Sequence, residues 1–272
     1  MRIYQLDAFT DQLFAGNPAA VVPLTGWLPD EHMQQIAAEN NLAETAFYVK
    51  TDGEAHYHIR WFTPTVEVDL CGHATLAAGY VVFFLEEKAG ELADQIFFDS
   101  RSGMLKVCRG EDGWLTLDFP ADIVHKANVQ PPALVASLKE KPLGVYKGKT
   151  DYMLVYETQA QIEALEPDFR EMGTVPARGI IVTAPGDASA DGAPGAVDFV
   201  SRFFGPQSGI DEDPVTGSAH TTLVPYWAEQ LGKTELTARQ LSARGGYLRC
   251  KLNGDRVDIS GQVQLYMTGE IL

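Results

Sequence analysis

Glu44, His73 and Asp213 are titratable residues of this chain whose types and surroundings could move a proton, and Gly72, Gly217 and Ser218 stand where an anion could be held. Glu44 stands in Asn40-Asn41-Leu42-Ala43-Glu44-Thr45-Ala46-Phe47, between a predicted helix and a predicted apolar strand. Leu42, Ala43 and Phe47 should leave its carboxyl part-buried, and burial raises a carboxyl pKa toward values useful in proton transfer. A solvated loop glutamate would fit the same segment. His73 follows Gly72 at a turn that opens an apolar run, where it can donate, accept or orient. Asp213 lies three residues before Thr216, where it can cap a turn or face a ligand. Gly72-His73 and Gly217-Ser218 each precede a predicted buried helix. A helix start offers unpaired N–H groups and a partial positive charge, and glycine lets an anion approach the backbone. Two such starts across one cleft could hold a carboxylate or a developing enolate.

Other chemistries find little support. No G-x-G-x-x-G follows a strand, and no phosphate-binding P-loop is present. His56 and His58 alternate along a strand without a third ligand nearby, a weak metal signal. Ser100 and Ser102 lack the strand–turn–helix setting of a nucleophilic serine. These readings lead us to expect proton chemistry with no metal and no cofactor, or no chemistry at all.

The elements that must position these residues look like one pattern written twice. Arg60-Trp61-Phe62-Thr63-Pro64 is echoed by Arg202-Phe203-Phe204-Gly205-Pro206, 142 residues later. Glu67-Val68-Asp69-Leu70-Cys71-Gly72-His73 is echoed by Asp211-Glu212-Asp213-Pro214-Val215-Thr216-Gly217-Ser218. Matching Cys71-Gly72 to Thr216-Gly217 makes that offset 145, so the second copy holds three extra residues before the turn. Ser100–Leu105 is echoed by Ala243–Leu248, and Leu115-Thr116-Leu117 by Val257-Asp258-Ile259. A repeat this long is a domain rather than a solenoid unit.

Strands are predicted over Ile3–Phe9, Ala19–Val22, Thr45–Lys50 and His56–Phe62, with Asn17-Pro18 as a turn and a helix from Pro29 to about Glu39. Ala74–Leu85 reads as a helix apolar nearly all round, hence buried on every side. Its counterpart is Ala219–Leu231, with Pro225 inside. Strands follow each of these helices. Residues 121–142 look like a connector, and residues 185–195 like a surface loop. The repeat predicts two similar domains, 1–120 and 121–261, each of many strands around one buried helix.

Composition narrows the partners. The net charge of −16 argues against nucleic acid and anionic membranes. The longest apolar run, Tyr80–Leu85, is too short to cross a bilayer, and no signal-peptide core opens the chain. Cys71, Cys108 and Cys250 give no paired disulfide framework, so a cytosolic protein with reduced thiols is expected.

Phe14–Val22, Asn41–Phe47, Phe62-Thr63-Pro64, Cys71–Thr75 and Glu212–Ala219 together resemble the phenazine biosynthesis PhzF-like family, which shares its fold with diaminopimelate epimerase and proline racemase. The resemblance implies an α+β fold of two pseudo-symmetric domains, each a curled mixed sheet around a buried central helix, with residues 262–272 joining the first domain. It also implies a cofactor-independent isomerase that shifts a proton or hydrogen within a small carboxylic acid. It implies Glu44 as general acid/base, His73 and Asp213 lining an interdomain cleft, and Gly72, Gly217 and Ser218 binding the substrate carboxylate. In the epimerase and racemase relatives a cysteine opens each turn. Here Cys71 fills the first place and Thr216 the second, which favours a one-sided shift run by Glu44. A two-base racemase using Cys71 and a non-catalytic metabolite-binding protein are the alternatives. A homodimer is also expected.

Overall fold

The computed structural model describes residues 1–53, 55–86, 94–110, 112–187 and 196–272. The chain forms two compact units, Met1–Phe119 with Asp258–Leu272, and Pro120–Val257.

In the first unit the elements are β1 (Arg2–Ala8), β2 (Asn17–Leu24), α1 (Asp30–Asn40), β3 (Glu44–Lys50), β4 (His56–Phe62), β5 (Glu67–Val68), α2 (Gly72–Tyr80), β6 (Gln95–Ser100), β7 (Gly103–Arg109) and β8 (Leu115–Pro120). The closing strand Val263–Glu270 pairs antiparallel with β1. α2 packs against β1, β2, β3 and β7. Leu76, Ala77 and Ala78 are fully buried, as an all-apolar helix requires. Gly79 is needed for this fit, because a Cβ there would lie 2.9 Å from a Val107 methyl on β7. α1 covers the outer face, where Met33 and Ala37 meet Val22, Phe47 and Phe62.

In the second unit they are β9 (His125–Lys126), α3 (Pro132–Ala136), β10 (Gly144–Lys147), β11 (Tyr152–Val155), α4 (Gln159–Ala164), α5 (Phe169–Met172), β12 (Ile180–Pro185), β13 (Phe199–Gly205), β14 (Ile210–Asp213), α6 (Gly217–Leu231), β15 (Glu235–Gln240) and β16 (Gly246–Asn253). Leu134, Ile162 and Met172 from α3, α4 and α5 join one core with Leu154, Val182 and Phe204 of the sheet. The segment read as a connector therefore contributes a strand and a helix to this unit. Its β9 pairs with β10.

The strand pairings repeat. β1–β2 and β10–β11 are antiparallel. β2–β3 and β11–β12 are parallel. β3–β4 and β12–β13 are antiparallel, as are β4–β5 and β13–β14. β4–β6 and β13–β15 are parallel, and β6–β7 and β15–β16 antiparallel. The repeat reaches side chains. Arg60 grips Glu67 through Nε and the second terminal nitrogen, at 2.7 and 2.8 Å. Arg202 grips Glu212 in the same two-pronged way, at 2.8 and 3.0 Å. Each guanidinium also lies over an aromatic ring, Phe62 at 5.2 Å and Phe204 at 5.0 Å. The arginines are 142 apart in sequence and the glutamates 145. The three extra residues lengthen the β13–β14 hairpin itself, whose register shifts between Phe203 and Gly205; the connections in the two units, residues 63–66 and 206–209, are equally long, and the second contains the 3-10 turn Pro206–Ser208.

Some boundaries differ from the sequence reading. Asn17-Pro18 opens β2 rather than forming a turn, since proline is tolerated as an early strand residue. The turn comes just before it. Gly16 has φ +65, and a Cβ there would lie 2.2 Å from the Ala8 carbonyl oxygen. Both buried helices start at their glycines, and the first continues beyond Tyr80 as a π-helix, Val81–Glu86. Within α6, Pro225 has no N–H to offer Thr221, whose carbonyl instead accepts from the Asp122 backbone N–H at 3.0 Å. Residues 188–195 of the expected surface loop lie outside the described residues.

Candidate active site

Glu44 is the first residue of β3 and pairs in register with Ala19 on β2. His73 is the second residue of α2. These elements bring Glu44 Oε2 to 3.2 Å from His73 Nε2, with the side chains 12% and 6% exposed. The separation is that of an ion pair, yet neither atom has hydrogen-bond geometry to any partner among the described residues. The other ring nitrogen, Nδ1, lies 3.2 Å from the side-chain amide of Asn17 and 3.5 Å from Cys71 Sγ. Asn17, at the start of β2, is fully buried. Thr75 ties the start of α2 by donating both its N–H and its hydroxyl to the Cys71 carbonyl, at 3.2 and 2.5 Å.

Electrostatics divide the roles here. Burial, and then the nearby Glu44 charge, push the Cys71 thiol up to about 11. For His73, burial pulls the pKa down, but Cys71 and Glu44 outweigh it and hold the imidazole well above its ordinary value. The result is a carboxyl group beside an imidazole that holds its proton, inside apolar surroundings. Among the described residues, Glu44, Cys71 and His73 also form the group whose donor atoms suit a metal ion, all within 4.8 Å of one another.

The second unit builds its own polar centre at the start of α6. The Thr216 hydroxyl donates to Asp213 Oδ2 at 2.5 Å. Gln240, buried at the end of β15, accepts from the Thr216 N–H at 2.8 Å and donates to the Asp213 carbonyl at 2.7 Å. Thr216 N–H is therefore engaged, and Gly217 and Ser218 are the next backbone positions at this helix start. The Ser218 hydroxyl accepts from Arg178 at 2.9 Å. Arg178 is itself held in a two-pronged pair by buried Asp151. Ser218 keeps its hydroxyl proton for another acceptor. His220, one turn along, bonds through Nδ1 to the Thr216 carbonyl at 2.9 Å. Burial pushes its pKa down to about 4, so it is neutral at pH 7.

Glu44 and His73 are thus brought together in one unit with Gly72 beside them, and Asp213, Gly217 and Ser218 gather in the other. Asn17, Gln240 and Arg178 were not singled out from sequence. Gln240 had a usable signal: Leu236, Ala238 and Gln240 alternate along one strand, and a polar residue in the inward register of such a strand needs partners. Asn17 was hidden by an Asn-Pro pair that reads as a turn.

The arrangement of the fold has known parallels. A probable proline racemase from Agrobacterium radiobacter, 10% identical, superposes with a TM-score of 0.63 over 100% of this chain and 92% of that one. It shares the fold alone, the α+β class of diaminopimelate epimerase-like proteins. A PhzF family phenazine biosynthesis protein from Enterococcus faecalis is far nearer, with 43% identity, a TM-score of 0.91 and coverage of 100% and 98%. A relative from Pseudomonas aeruginosa, named an uncharacterized isomerase, is 50% identical over 100% of this chain and 98% of its own length. The family model for phenazine biosynthesis-like proteins matches residues 6–269. This chain belongs to that family.

Proposed function

We propose that the protein is an isomerase that shifts a proton within a small carboxylic acid, with Glu44 as the general acid/base. The observation that carries this reading is the Glu44–His73 pair, a buried carboxylate 3.2 Å from an imidazole that holds a proton. Membership of a family whose close relative is named an isomerase supports the reaction class. In the proposed reaction Glu44 takes a proton from carbon beside the substrate carboxylate and returns it elsewhere on the same molecule. His73 stabilises the negative charge while the proton is in transit, and the N–H groups at the helix start, Gly72 first, bind the anion. Asp213, Gly217 and Ser218 serve substrate binding and orientation. No cofactor takes part, since every step is a proton transfer.

One observation favours a second reading, a two-base racemase: Cys71 Sγ lies 3.5 Å from His73. A thiol pushed up to about 11 is a poor base at neutral pH, which ranks this reading lower. Incubation with amino-acid-like and cyclic carboxylic acids in D2O tests both. Deuterium uptake with relocation of the exchangeable hydrogen supports the isomerase. Inversion at the exchanged carbon supports the racemase, and absence of uptake across the panel contradicts catalysis.

A further inference from the structure

The Glu44–Cys71–His73 group has a property that proton transfer alone does not use. It gathers a carboxylate oxygen, a sulphur and an imidazole nitrogen within 4.8 Å of one another. Glu44 Oε2 and His73 Nε2 are buried and lack hydrogen-bond partners among the described residues. Native buried polar atoms are ordinarily satisfied. We propose that Glu44, Cys71 and His73 form a binding site for a divalent cation of zinc's class, through the Glu44 carboxylate, the Cys71 sulphur and the His73 imidazole, with a fourth position open.

The donor set selects the cation. A sulphur and an imidazole nitrogen suit zinc and its neighbours in the first transition row, not magnesium or calcium. The spacing is close to what such an ion needs. Bonds of about 2.0–2.3 Å place tetrahedral donors roughly 3.3–3.7 Å apart. The carboxylate and imidazole donors already stand 3.2 Å apart. All three donors lie within 4.8 Å of one another, so side-chain rotations alone can bring them to that spacing.

Bound through a carboxylate, a thiolate and a neutral imidazole, a divalent cation makes a cluster with no net charge, which a buried place tolerates, and any protons displaced from the ligands pass to solvent. Such an ion would occupy the carboxylate oxygen that proton transfer requires, so it would act as an inhibitor rather than a cofactor. That consequence rests on the function proposed above; the binding itself does not.

Cobalt(II) titration of the untagged, fully reduced chain tests the site directly. We expect a near-ultraviolet thiolate-to-cobalt charge-transfer band that saturates at one equivalent and is displaced by zinc. Cys71→Ser should abolish the band. The Cys108→Ser/Cys250→Ser protein, which keeps Cys71 as its sole thiol, should retain it and so decides the matter even where Cys71→Ser folds poorly. A folded wild-type protein without the band, a band that survives Cys71→Ser, or one lost from the Cys108/Cys250 variant would overturn the proposal. None of these readouts depends on a substrate, so the reaction class can fail while the site stands, or the reverse.

Discussion

His73 and His220 sit at the starts of α2 and α6 and answer burial in opposite ways. His73 faces Glu44 and is held protonated, whereas His220, bonded to the Thr216 carbonyl, has no anionic side chain among the causes of its shift and is held neutral by burial. Their effects on stability are opposite in sign. His73, with its folded pKa raised, contributes stability present below its unfolded value of about 6.5 and lost as pH rises through the higher folded value. His220, with its folded pKa near 4, works the other way. Between about 6.5 and 4 the unfolded chain takes up its proton first, so stability falls as pH falls across that window and then levels off. The full loss is about 3 kcal/mol. Urea unfolding at several pH values should show this slope in the wild type, and it should flatten in His220→Asn; an unchanged slope would contradict the assignment. For Asp213, held by the Thr216 hydroxyl, the expected role is orientation. Asp213→Asn should therefore lower turnover less than Glu44→Gln does, and a larger loss in Asp213→Asn would reverse their roles.

At the scale of elements, two devices hold the helix starts. One is the pair of two-pronged arginine–glutamate clamps that tie β4 to β5 and β13 to β14. Arg202→Met leaves Glu212 mostly buried without its cation, and should cost about 3 kcal/mol in unfolding free energy. A loss below about 0.5 kcal/mol would mean the clamp behaves as a surface ion pair. The other device is Gln240. Gln240→Leu leaves the Thr216 N–H and the Asp213 carbonyl unpaired in a buried place, with an expected cost of about 1–3 kcal/mol per group. Thermal unfolding checks it, and a melting temperature matching the wild type would show that water or a rearranged turn replaces the amide. The periodicity of the strands and the apolar character of the two helices were legible in the sequence, because both depend on residues close together in the chain. The clamps were not. Arg60 and Arg202 were visible as repeat landmarks, but their partners depend on strand register and on a 3-10 turn. The glycines at the helix starts read as turns because a helix's first residues carry no apolar period of their own. The π-helical continuation after Tyr80 has no sequence signature that we recognise.

Over the whole molecule, the repeated order of strand pairings accounts for why a search for duplicated landmarks was productive. Two copies of one topology put Gly72 and Gly217 at the same place in their own sheets. Sequence could locate Glu44 as a carboxyl at a helix-to-strand junction but could not pair it with His73, 29 residues away, because only the pairing of β2 with β3 and the packing of α2 bring them together. The charge of −16 is also a property of the whole chain. Self-repulsion at that charge is relieved by salt, so the melting temperature should rise between low and physiological ionic strength. A fall would show that screened ion pairs outweigh the net charge.

In the proposed reaction Glu44 carries the proton. Glu44→Gln keeps the size of the side chain and much of its hydrogen bonding but cannot accept a proton. With any one substrate found active in D2O, deuterium exchange by the Glu44→Gln protein should fall by at least about 100-fold, the lower end of what a general acid/base contributes. Cooperative unfolding and binding of the carboxylate ligand should both persist. Exchange near the wild-type rate in a folded Glu44→Gln protein would contradict the account and leave the role to Cys71 or Asp213.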